Sequence, residues 1–425
     1  MRWEQRIQYA SLSDVGMRRQ NNEDSLAIQV SQTEEDFLRR GHLFLVADGM
    51  GGHAVGELAS KIAAETIPHT YFKNPIADPR ISLQAAIVAA NAAIHEKGET
   101  NRDFQRMGTT CSVLTLTSRG AILGHVGDSR CYRIRRDRID QLTFDHSLEW
   151  EMRKRDERAA AKVDFSNHRN IILRSLGPEP TVQVDLEGAF PVFPDDAFLL
   201  CSDGLSNQVM DQELGAIVRE LSPTQACRLL IHLANLRGGP DNCTAVIVRV
   251  GELPGNIPPP PPDPIDEPEN TVSWLGLAAF YLVALAVLGG ITLWLTGHPW
   301  TGVPLTAISS IGMIILLLKA ITLQRQAHKQ IADNEDLSKT NFSRPHRTAV
   351  SLSSEELYQL LTDVEKDLER SAIEENWQID KKAHAEAMAA AHQAHKEKRY
   401  GRGCRDLARA IDTLMSEMPR RKAIA

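Results

Sequence analysis

Residues 42–52, HLFLVADGMGG, run from a mainly apolar segment directly into an aspartate and a glycine-rich turn. A short apolar run bounded by turn residues is typical of a buried β-strand, and glycine lets the backbone turn tightly close to a ligand. Acidic side chains at the ends of strands supply the oxygen ligands that hard divalent cations prefer. The stretch therefore predicts a strand that delivers Asp48 to a cation site.

Five more acidic motifs are spread over the first 245 residues of the chain. An isolated Asp-Gly pair is usually only a turn, but six acidic motifs, several of them at the ends of apolar runs, indicate strands that converge on one site. The five are Asn22-Glu23-Asp24, Gly127-Asp128-Ser129-Arg130, Asp145-His146-Ser147, Ser202-Asp203-Gly204 and Asp241-Asn242.

Length and composition narrow the class of protein. The chain has 425 residues and a net charge of −7, so we expect more than one folded unit, and the absence of a dominant basic stripe argues against a nucleic-acid partner. The six cysteines are scattered without a CxxC pair and are expected to be free thiols in a reducing compartment. No apolar signal-peptide stretch opens the sequence, so the first domain is expected to stay in the cytosol.

Residues 1–250 read as one α+β domain. Strand-like runs occur mostly in consecutive groups, without a helix-like run between each pair. This order favours antiparallel sheets over a doubly wound parallel sheet.

Residues 251–322 have two kinds of sequence. Residues 251–273 are rich in proline and acidic side chains, which predicts a stiff, solvated linker. Two uncharged runs then predict transmembrane helices at 274–296 and 300–322, with a buried helical hairpin in a soluble domain as the alternative. Lys319 and Arg325 near the end of the second run predict a multi-pass inner-membrane protein whose two large segments are cytoplasmic.

Residues 323–425 are polar and helical in pattern. Ser353 and Ser354 precede Glu355 and Glu356, which predicts a capped helix start. Two further helices are expected over 383–418, with a break near Tyr400. This pair faintly resembles a tetratricopeptide unit, and an amphipathic helical hairpin for dimer or partner contacts is the alternative.

The acidic motifs belong to a longer ordered series. It comprises Gly16-Met17-Arg18-Arg19-Gln20-Asn21-Asn22-Glu23-Asp24-Ser25, Val46-Ala47-Asp48-Gly49-Met50-Gly51-Gly52-His53, Gly108-Thr109-Thr110, Gly127-Asp128-Ser129-Arg130, Asp145-His146-Ser147, Ser202-Asp203-Gly204-Leu205 and Gly239-Pro240-Asp241-Asn242-Cys243-Thr244. In this order and spacing, residues 6–250 resemble a metal-dependent protein phosphatase of the type 2C serine/threonine family, in its bacterial branch. The resemblance implies a β-sandwich of two antiparallel sheets with helices on both outer faces, α-β-β-α.

The resemblance also implies a binuclear Mn²⁺ or Mg²⁺ site at one end of the sandwich. Asp48 would bridge the two metals, the Gly49 carbonyl would bind one of them, and Asp203 and Asp241 would complete the ligands of the other. The carboxylates of Glu23 and Asp24 would hold metal-bound waters or ligate directly. Asp128 matches the position that holds a third metal in bacterial members, with a turn-capping aspartate as the alternative.

The implied activity is hydrolysis of phosphoserine and phosphothreonine by direct attack of a metal-bridging hydroxide. Arg19 matches the arginine that clamps the phosphate, and a guanidinium fork suits phosphate oxygens. Met50 stands where many eukaryotic relatives carry a histidine that could protonate the leaving group. The charged segment 149–170 corresponds to the flap beside the active site.

The implied partners are phosphorylated proteins, Ser/Thr kinases and their substrates, and the lipid bilayer. The chain would oppose Ser/Thr kinase signalling in a bacterium as a membrane-anchored enzyme. The alternative is a catalytically weak, phosphatase-like docking or regulatory module controlled by the C-terminal tail.

Overall fold

The computed structural model describes most of the chain in two compact units. It describes residues 7–51, 54–76, 78–104, 106–155, 171–251, 274–298, 300–301, 303–307, 309–310 and 345–417. One unit lies within Met1–Ile257 and Ser343–Ala425, and the other lies within Pro258–Phe342. The tail therefore belongs to the same unit as the acidic motifs.

The strands of the first unit form two antiparallel sheets. In chain order they are β1 Ile7–Asp14, β2 Asp24–Gln29, β3 His42–Met50, β4 Gly108–Thr109, β5 Cys111–Thr117, β6 Gly120–Val126, β7 Arg130–Arg135, β8 Arg138–Gln141, β9 Asp185–Phe190, β10 Ala197–Cys201, β11 Cys243–Val250 and β12 Arg347–Val350. One sheet has the order β1-β11-β10-β7-β8-β12, and the other has the order β2-β3-β5-β6-β9, with β4 paired to β3. The predicted antiparallel sheets are confirmed.

The described helices belong to both units: Trp274–Leu295 lies in the second unit, and the others lie in the first unit with the two sheets. They are α1 Glu34–Arg40, α2 Ala54–Lys73, α3 Pro79–Glu99, α4 Leu148–Arg155, α5 Asp203–Ser206, α6 Asp211–Glu220, α7 Pro223–Leu236, α8 Trp274–Leu295, α9 Ser354–Glu374, α10 Lys381–Lys396 and α11 Tyr400–Met415. A short 3₁₀ turn spans Arg102–Phe104.

Strand β3 shows why its sequence is continuously apolar. Leu43 and Leu45 pack in the layer that contains α2 and α3, whereas Phe44 and Val46 pack between the two sheets. Successive side chains of a strand point to opposite faces, and both faces of this strand are buried. The β3 run therefore lies at the centre of the sandwich and ends where the acidic residues begin.

The tail helices pack against the helices that cover the sheet containing β10 and β11. Leu361 and Leu407 of the tail share a hydrophobic core with Leu230 of α7. At the edge of this contact, Asp412 Oδ2 accepts a hydrogen bond from Arg228 Nη1 at 2.9 Å. The predicted start of α9 is confirmed, because Ser353 and Glu356 form a reciprocal capping box.

The membrane predictions are corrected in the second unit. Helix α8 covers the first apolar run, while residues 311–322 of the second run lie outside the described residues. Among the residues that the structure describes, no helix is both long and apolar enough to span a membrane. The predicted transmembrane helices at 274–296 and 300–322 and the multi-pass inner-membrane location are therefore wrong, and the lipid bilayer has no support as a partner.

The transmembrane prediction was wrong because it relied on the absence of charged residues. An uncharged run excludes ionised side chains, but it does not by itself supply a continuous apolar surface. Gly289, Gly290, Thr292 and Thr296 interrupt the second half of the first run. The predicted linker at 251–273 falls almost entirely outside the described residues.

Candidate metal centre and active site

Two neighbouring strands deliver the first two carboxylates. Asp24 at the start of β2 lies directly opposite Asp48 in β3. The backbone of Asp48 is fixed from both sides: its N–H donates to Thr110 Oγ1 at 2.9 Å, and its carbonyl accepts from the Thr110 N–H at 2.8 Å. The carboxylate of Asp48 is therefore held in place by backbone bonds that leave its own oxygens available.

The other sheet delivers two more carboxylates at the same end of the sandwich. Asp203 follows β10 and begins the short helix α5, and Asp241 precedes the adjacent strand β11. A Cβ atom on Gly204 would lie 2.0 Å from the carbonyl oxygen of Asn242. The two turns approach this closely only because residue 204 is glycine.

Asp24 joins the two sheets through its carboxylate. Its Oδ2 accepts hydrogen bonds from Ser202 Oγ at 2.8 Å and Thr244 Oγ1 at 2.6 Å. Its Oδ1 is buried and has no hydrogen-bond partner among the described residues. One oxygen of this carboxylate is therefore anchored, and the other is open to a ligand.

The predicted site residues meet around a single cavity of about 240 Å³. It is lined by Arg19, Glu23, Asp48, Gly49, Met50, Gly51, Asp128, Ile172, Asp203, Asp241 and Asn242. Arg19 Nη2 donates to Asp241 Oδ2 at 2.8 Å, and the Glu23 N–H donates to Asn242 Oδ1 at 2.8 Å. Six of the seven predicted metal-site residues thus line one cavity, and Asp24 lies directly behind it, paired with Asp48.

The cluster carries more negative charge than its neighbours compensate. Burial raises the pKa of Asp24 to about 7, despite the hydrogen bonds from Thr244 and Ser202. Burial and the charge of Asp241 raise the pKa of Asp203 to about 6. Burial and neighbouring carboxylates likewise raise the pKa of Asp48 and of Asp128 well above the usual range.

This excess of negative charge is suited to divalent cations. Asp128 Oδ1, like Asp24 Oδ1, is buried without a hydrogen-bond partner in the described part of the chain. A buried, unpaired carboxylate is costly unless a cation or a proton compensates it. Several oxygen ligands converging on one cavity are the donor set that Mg²⁺ and Mn²⁺ take. The residues present therefore fit the predicted metals.

The Asp145-His146-Ser147 motif supports the loop that carries Asp128. Arg130 Nη2 donates to Asp145 Oδ2 at 2.7 Å, and the Gly127 N–H donates to His146 Nδ1 at 3.0 Å. His146 Nε2 in turn lies 3.0 Å from Asp185 Oδ2. The motif fixes Gly127 and Arg130, the two residues that flank Asp128 and Ser129.

Sequence reasoning missed the residues that position the acids. Ser202, Thr244 and Asn242 hold Asp24 and Glu23, and Arg130 holds Asp145. All four lie inside the quoted motifs, close in sequence to an acidic residue, and this position could have indicated their supporting role. His53 and most of the predicted flap, residues 156–170, lie outside the described residues.

The fold and the site define a class of protein, a four-layer α-β-β-α enzyme with an acidic metal centre at one end of its sandwich. The family model described as "Protein phosphatase 2C" matches residues 17–229. The chain belongs to the protein phosphatase 2C family. Its catalytic domain is a protein-serine/threonine phosphatase domain, and the predicted cofactor, two Mn²⁺ ions with Mg²⁺ as an acceptable alternative, is confirmed for this family.

Individual relatives match a little over half of this chain. Protein phosphatase PhpP of Streptococcus pneumoniae is 32% identical over 250 residues, which is 58% of this chain and 98% of PhpP. Serine/threonine protein phosphatase PstP of Mycobacterium tuberculosis is 33% identical over 247 residues, which is 57% of this chain and only 45% of PstP. A crystal structure of M. tuberculosis PstP/Ppp superimposes with a TM-score of 0.51 at 33% identity, covering 58% of this chain and 99% of that one.

Proposed function

We propose that this protein removes phosphate from phosphoserine and phosphothreonine residues of proteins and thereby opposes Ser/Thr kinases. The observation that carries the proposal is the cavity in which Asp48, Asp128, Asp203 and Asp241 face Arg19. An anionic phosphate ester does not bind carboxylates directly, so cations must stand between them. The cavity is thus suited to a phosphate only when it is loaded with metal.

The roles of the residues follow from their positions. We assign Asp48, Gly49, Asp203 and Asp241 as metal ligands, Glu23 and Asp24 as ligands or holders of metal-bound water, and Asp128 as a third-metal ligand. When bound, two divalent cations lower the pKa of a shared water and neutralise phosphoryl oxygens. Arg19 is 48% exposed at its side chain and can turn from Asp241 to clamp a phosphate oxygen.

The proton for the leaving serine or threonine oxygen has no histidine donor in the described lining of the cavity. Met50 lines the cavity at the position after the Asp-Gly pair and cannot donate a proton. The side chains that line the cavity are carboxylates, an amide, an arginine and apolar groups. Residue 50 therefore does not act as a general acid in the proposed reaction.

Phosphate release from a phosphothreonine peptide tests the proposal. The full chain should be active with Mn²⁺ or Mg²⁺ and inactive in EDTA, and calorimetry should find at least two Mn²⁺ per chain. A chain that binds Mn²⁺ and folds but releases no phosphate from phosphoserine or phosphothreonine would overturn it.

A second candidate is a phosphatase-like regulatory module controlled by the tail. It is favoured by one observation, the addition of tail strand β12 to the edge of the sheet that carries Asp203 and Asp241. This candidate predicts Mn²⁺ binding with little or no turnover by the isolated chain. The phosphate-release assay therefore separates the two.

A further inference from the structure

The tail contributes a strand to the catalytic sheet. Arg347 of β12 lies opposite Gln141 of β8, and the His346 N–H donates to the Gln141 carbonyl at 2.8 Å. At the other end of the strand, the Ser351 N–H donates to the Asp137 carbonyl at 2.7 Å. Backbone bonds at both ends of β12 thus fix the backbone of Arg347 relative to the sheet.

A line of polar contacts runs from Arg347 into the domain. Arg347 Nε lies 3.3 Å from Asp211 Oδ2, and Asp211 Oδ1 accepts a hydrogen bond from the Tyr132 hydroxyl at 3.2 Å. The Tyr132 hydroxyl accepts a hydrogen bond from Arg130 Nη1 at 3.0 Å. Tyr132 is fully buried and Asp211 is 6% exposed, so water has little access to the contact between them. The Arg347 side chain is 54% exposed, and its ion pair with Asp211 lies at the surface end of this line.

A second contact from the same edge reaches the same place. Gln141 Nε2 donates to Asp145 Oδ1 at 2.7 Å. Arg130 grips the carboxylate of Asp145 with Nε at 2.9 Å and Nη2 at 2.7 Å. The backbone partner of the tail and the side-chain line from Arg347 therefore converge on the Arg130–Asp145 pair.

This pair borders the acidic centre. Arg130, Asp145, Asp128 and Asp203 line one small cavity of about 30 Å³. Among the described residues that line this cavity, Arg130 carries the positive charge that faces the acidic side chains. A displacement of its guanidinium would change the electrostatic potential at Asp128 and Asp203, because charge interactions at low exposure are strong.

We propose that Arg347 is a positioning residue of the phosphatase site, acting through Asp211 and Tyr132 to fix Arg130 and Asp145 beside Asp128 and Asp203. This inference rests on the proposed function, since the site that it serves is the metal centre. The tail thereby has a defined role, because the metal centre reaches its full affinity only when β12 is seated on β8.

The test uses the full chain with Arg347→Ala, Arg347→Lys, Tyr132→Phe and the double variant Arg347→Ala/Tyr132→Phe. The matched control is Arg370→Ala in the same tail, an arginine whose ion pair with Asp367 is exposed. Three quantities are measured: the Mn²⁺ dissociation constant by calorimetry, and kcat and KM for p-nitrophenyl phosphate. Thermal unfolding checks that every variant is folded.

Arg347→Ala and Tyr132→Phe should each weaken Mn²⁺ binding about three- to tenfold, the size of effect that coupling between distant sites usually has. The double variant should be no worse than the more affected single variant, because both changes break one line. Arg347→Lys should recover part of the affinity by restoring the charge, and Arg370→Ala should equal the wild type.

Equal Mn²⁺ affinity in Arg347→Ala and Arg370→Ala would overturn the inference, as would fully additive losses in the double variant. A wild-type chain that binds Mn²⁺ but releases no phosphate would overturn the proposed function instead. In that case the calorimetric comparison still decides whether Arg347 positions the metal centre.

Discussion

Two groups of buried carboxylates in this protein differ in one respect, the presence of a cationic partner. Asp196 is 1% exposed and is gripped by Arg135, with Nε and Nη2 at 2.7 and 2.8 Å. Asp24 and Asp128 are similarly buried, but each has an oxygen without a hydrogen-bond partner among the described residues. Asp196 contributes to the stability of the domain, whereas the acidic centre is arranged to hold ions.

The difference shows what marks a functional site in this fold. A buried ion pair satisfies both of its members, and breaking it is costly. Burial, together with neighbouring carboxylates, raises the pKa of members of an acidic cluster, as it does for Asp48 and Asp203. Such perturbed groups concentrate at functional sites. The predictions below test this distinction between compensated and uncompensated carboxylates.

The largest expected effect is that of Asp48→Asn. Removing the carboxylate assigned as the metal bridge should lower kcat/KM for a phosphopeptide by about a thousandfold or more, because the charge stabilisation supplied by the metals is lost. Thermal unfolding in EDTA should show no loss of stability, since one repelling charge has been removed. Activity above a tenth of the wild-type value would contradict the assignment of Asp48.

Asp196→Asn should have the opposite profile. It leaves the largely buried guanidinium of Arg135 without its carboxylate, at a cost of about 3–5 kcal/mol in the free energy of unfolding. Mn²⁺ affinity of the folded protein should stay within about twofold of the wild type, because Asp196 is absent from the cavity lining. Urea unfolding and calorimetry would measure the two quantities, and a loss of Mn²⁺ binding without a loss of stability would refute the distinction.

Arg19→Ala should weaken catalysis without removing it. Losing the phosphate-clamping fork should lower kcat/KM by about ten- to a hundredfold, the usual range for one strong charged contact in a transition state. The neighbouring Arg18 is exposed, and Arg18→Ala is the matched control. Equal effects of the two substitutions would indicate general attraction of the anionic substrate rather than a clamp.

The smallest expected effect lies at the tail interface. Hydrogen bonds from His232 and Arg228 lower the pKa of Asp412, so its contribution to stability is present above the unfolded value near 4 and is lost as the pH falls. Because Asp412 is 36% exposed, solvent screening limits the destabilisation by Asp412→Asn at pH 7 to at most about 1 kcal/mol. Thermal unfolding should show a larger difference between Asp412→Asn and the wild type at pH 7 than at pH 3.

Local signals in the sequence predicted antiparallel sheets, and the resemblance to the type 2C family predicted their arrangement as a β-sandwich. Residues 43–47 of β3 and 197–201 of β10 are apolar runs that end at acidic turns, and both are buried as predicted. The ordered motifs then brought six of the seven predicted metal-site residues to one cavity. Strands β1, β4, β8, β9 and β12 were not predicted. In β8, for example, the segment Arg138-Ile139-Asp140-Gln141 contains charged side chains that only partners in the fold can satisfy.

The tail and the apolar runs show where local pattern is insufficient. The helical pattern of the tail predicted the tail helices but not their packing against α7. An amphipathic face does not identify the surface that covers it. The uncharged runs at 274–296 and 300–318 led to the membrane prediction for the same reason. A hydrophobic pattern shows which side chains must be shielded from water, but it does not show which part of the tertiary structure they contact.

The most direct test of the central claim is the shift in thermal unfolding temperature caused by Mn²⁺, measured at pH 5 and pH 8. The raised pKa values of Asp24, about 7, and Asp203, about 6, mean that the metal-free folded state binds protons that the unfolded state releases, so the cluster's contribution to stability falls as the pH rises through this range. Mn²⁺ replaces those protons and binds the deprotonated ligands more tightly at higher pH.

His42 and His125, whose pKa values are lowered by burial to about 4 and about 3, contribute with the opposite sign, but they do so equally with and without metal and cancel in the shift. We predict a clearly larger Mn²⁺-induced increase in unfolding temperature at pH 8 than at pH 5. An equal or smaller increase at pH 8 would contradict the claim that the uncompensated carboxylates form the metal centre.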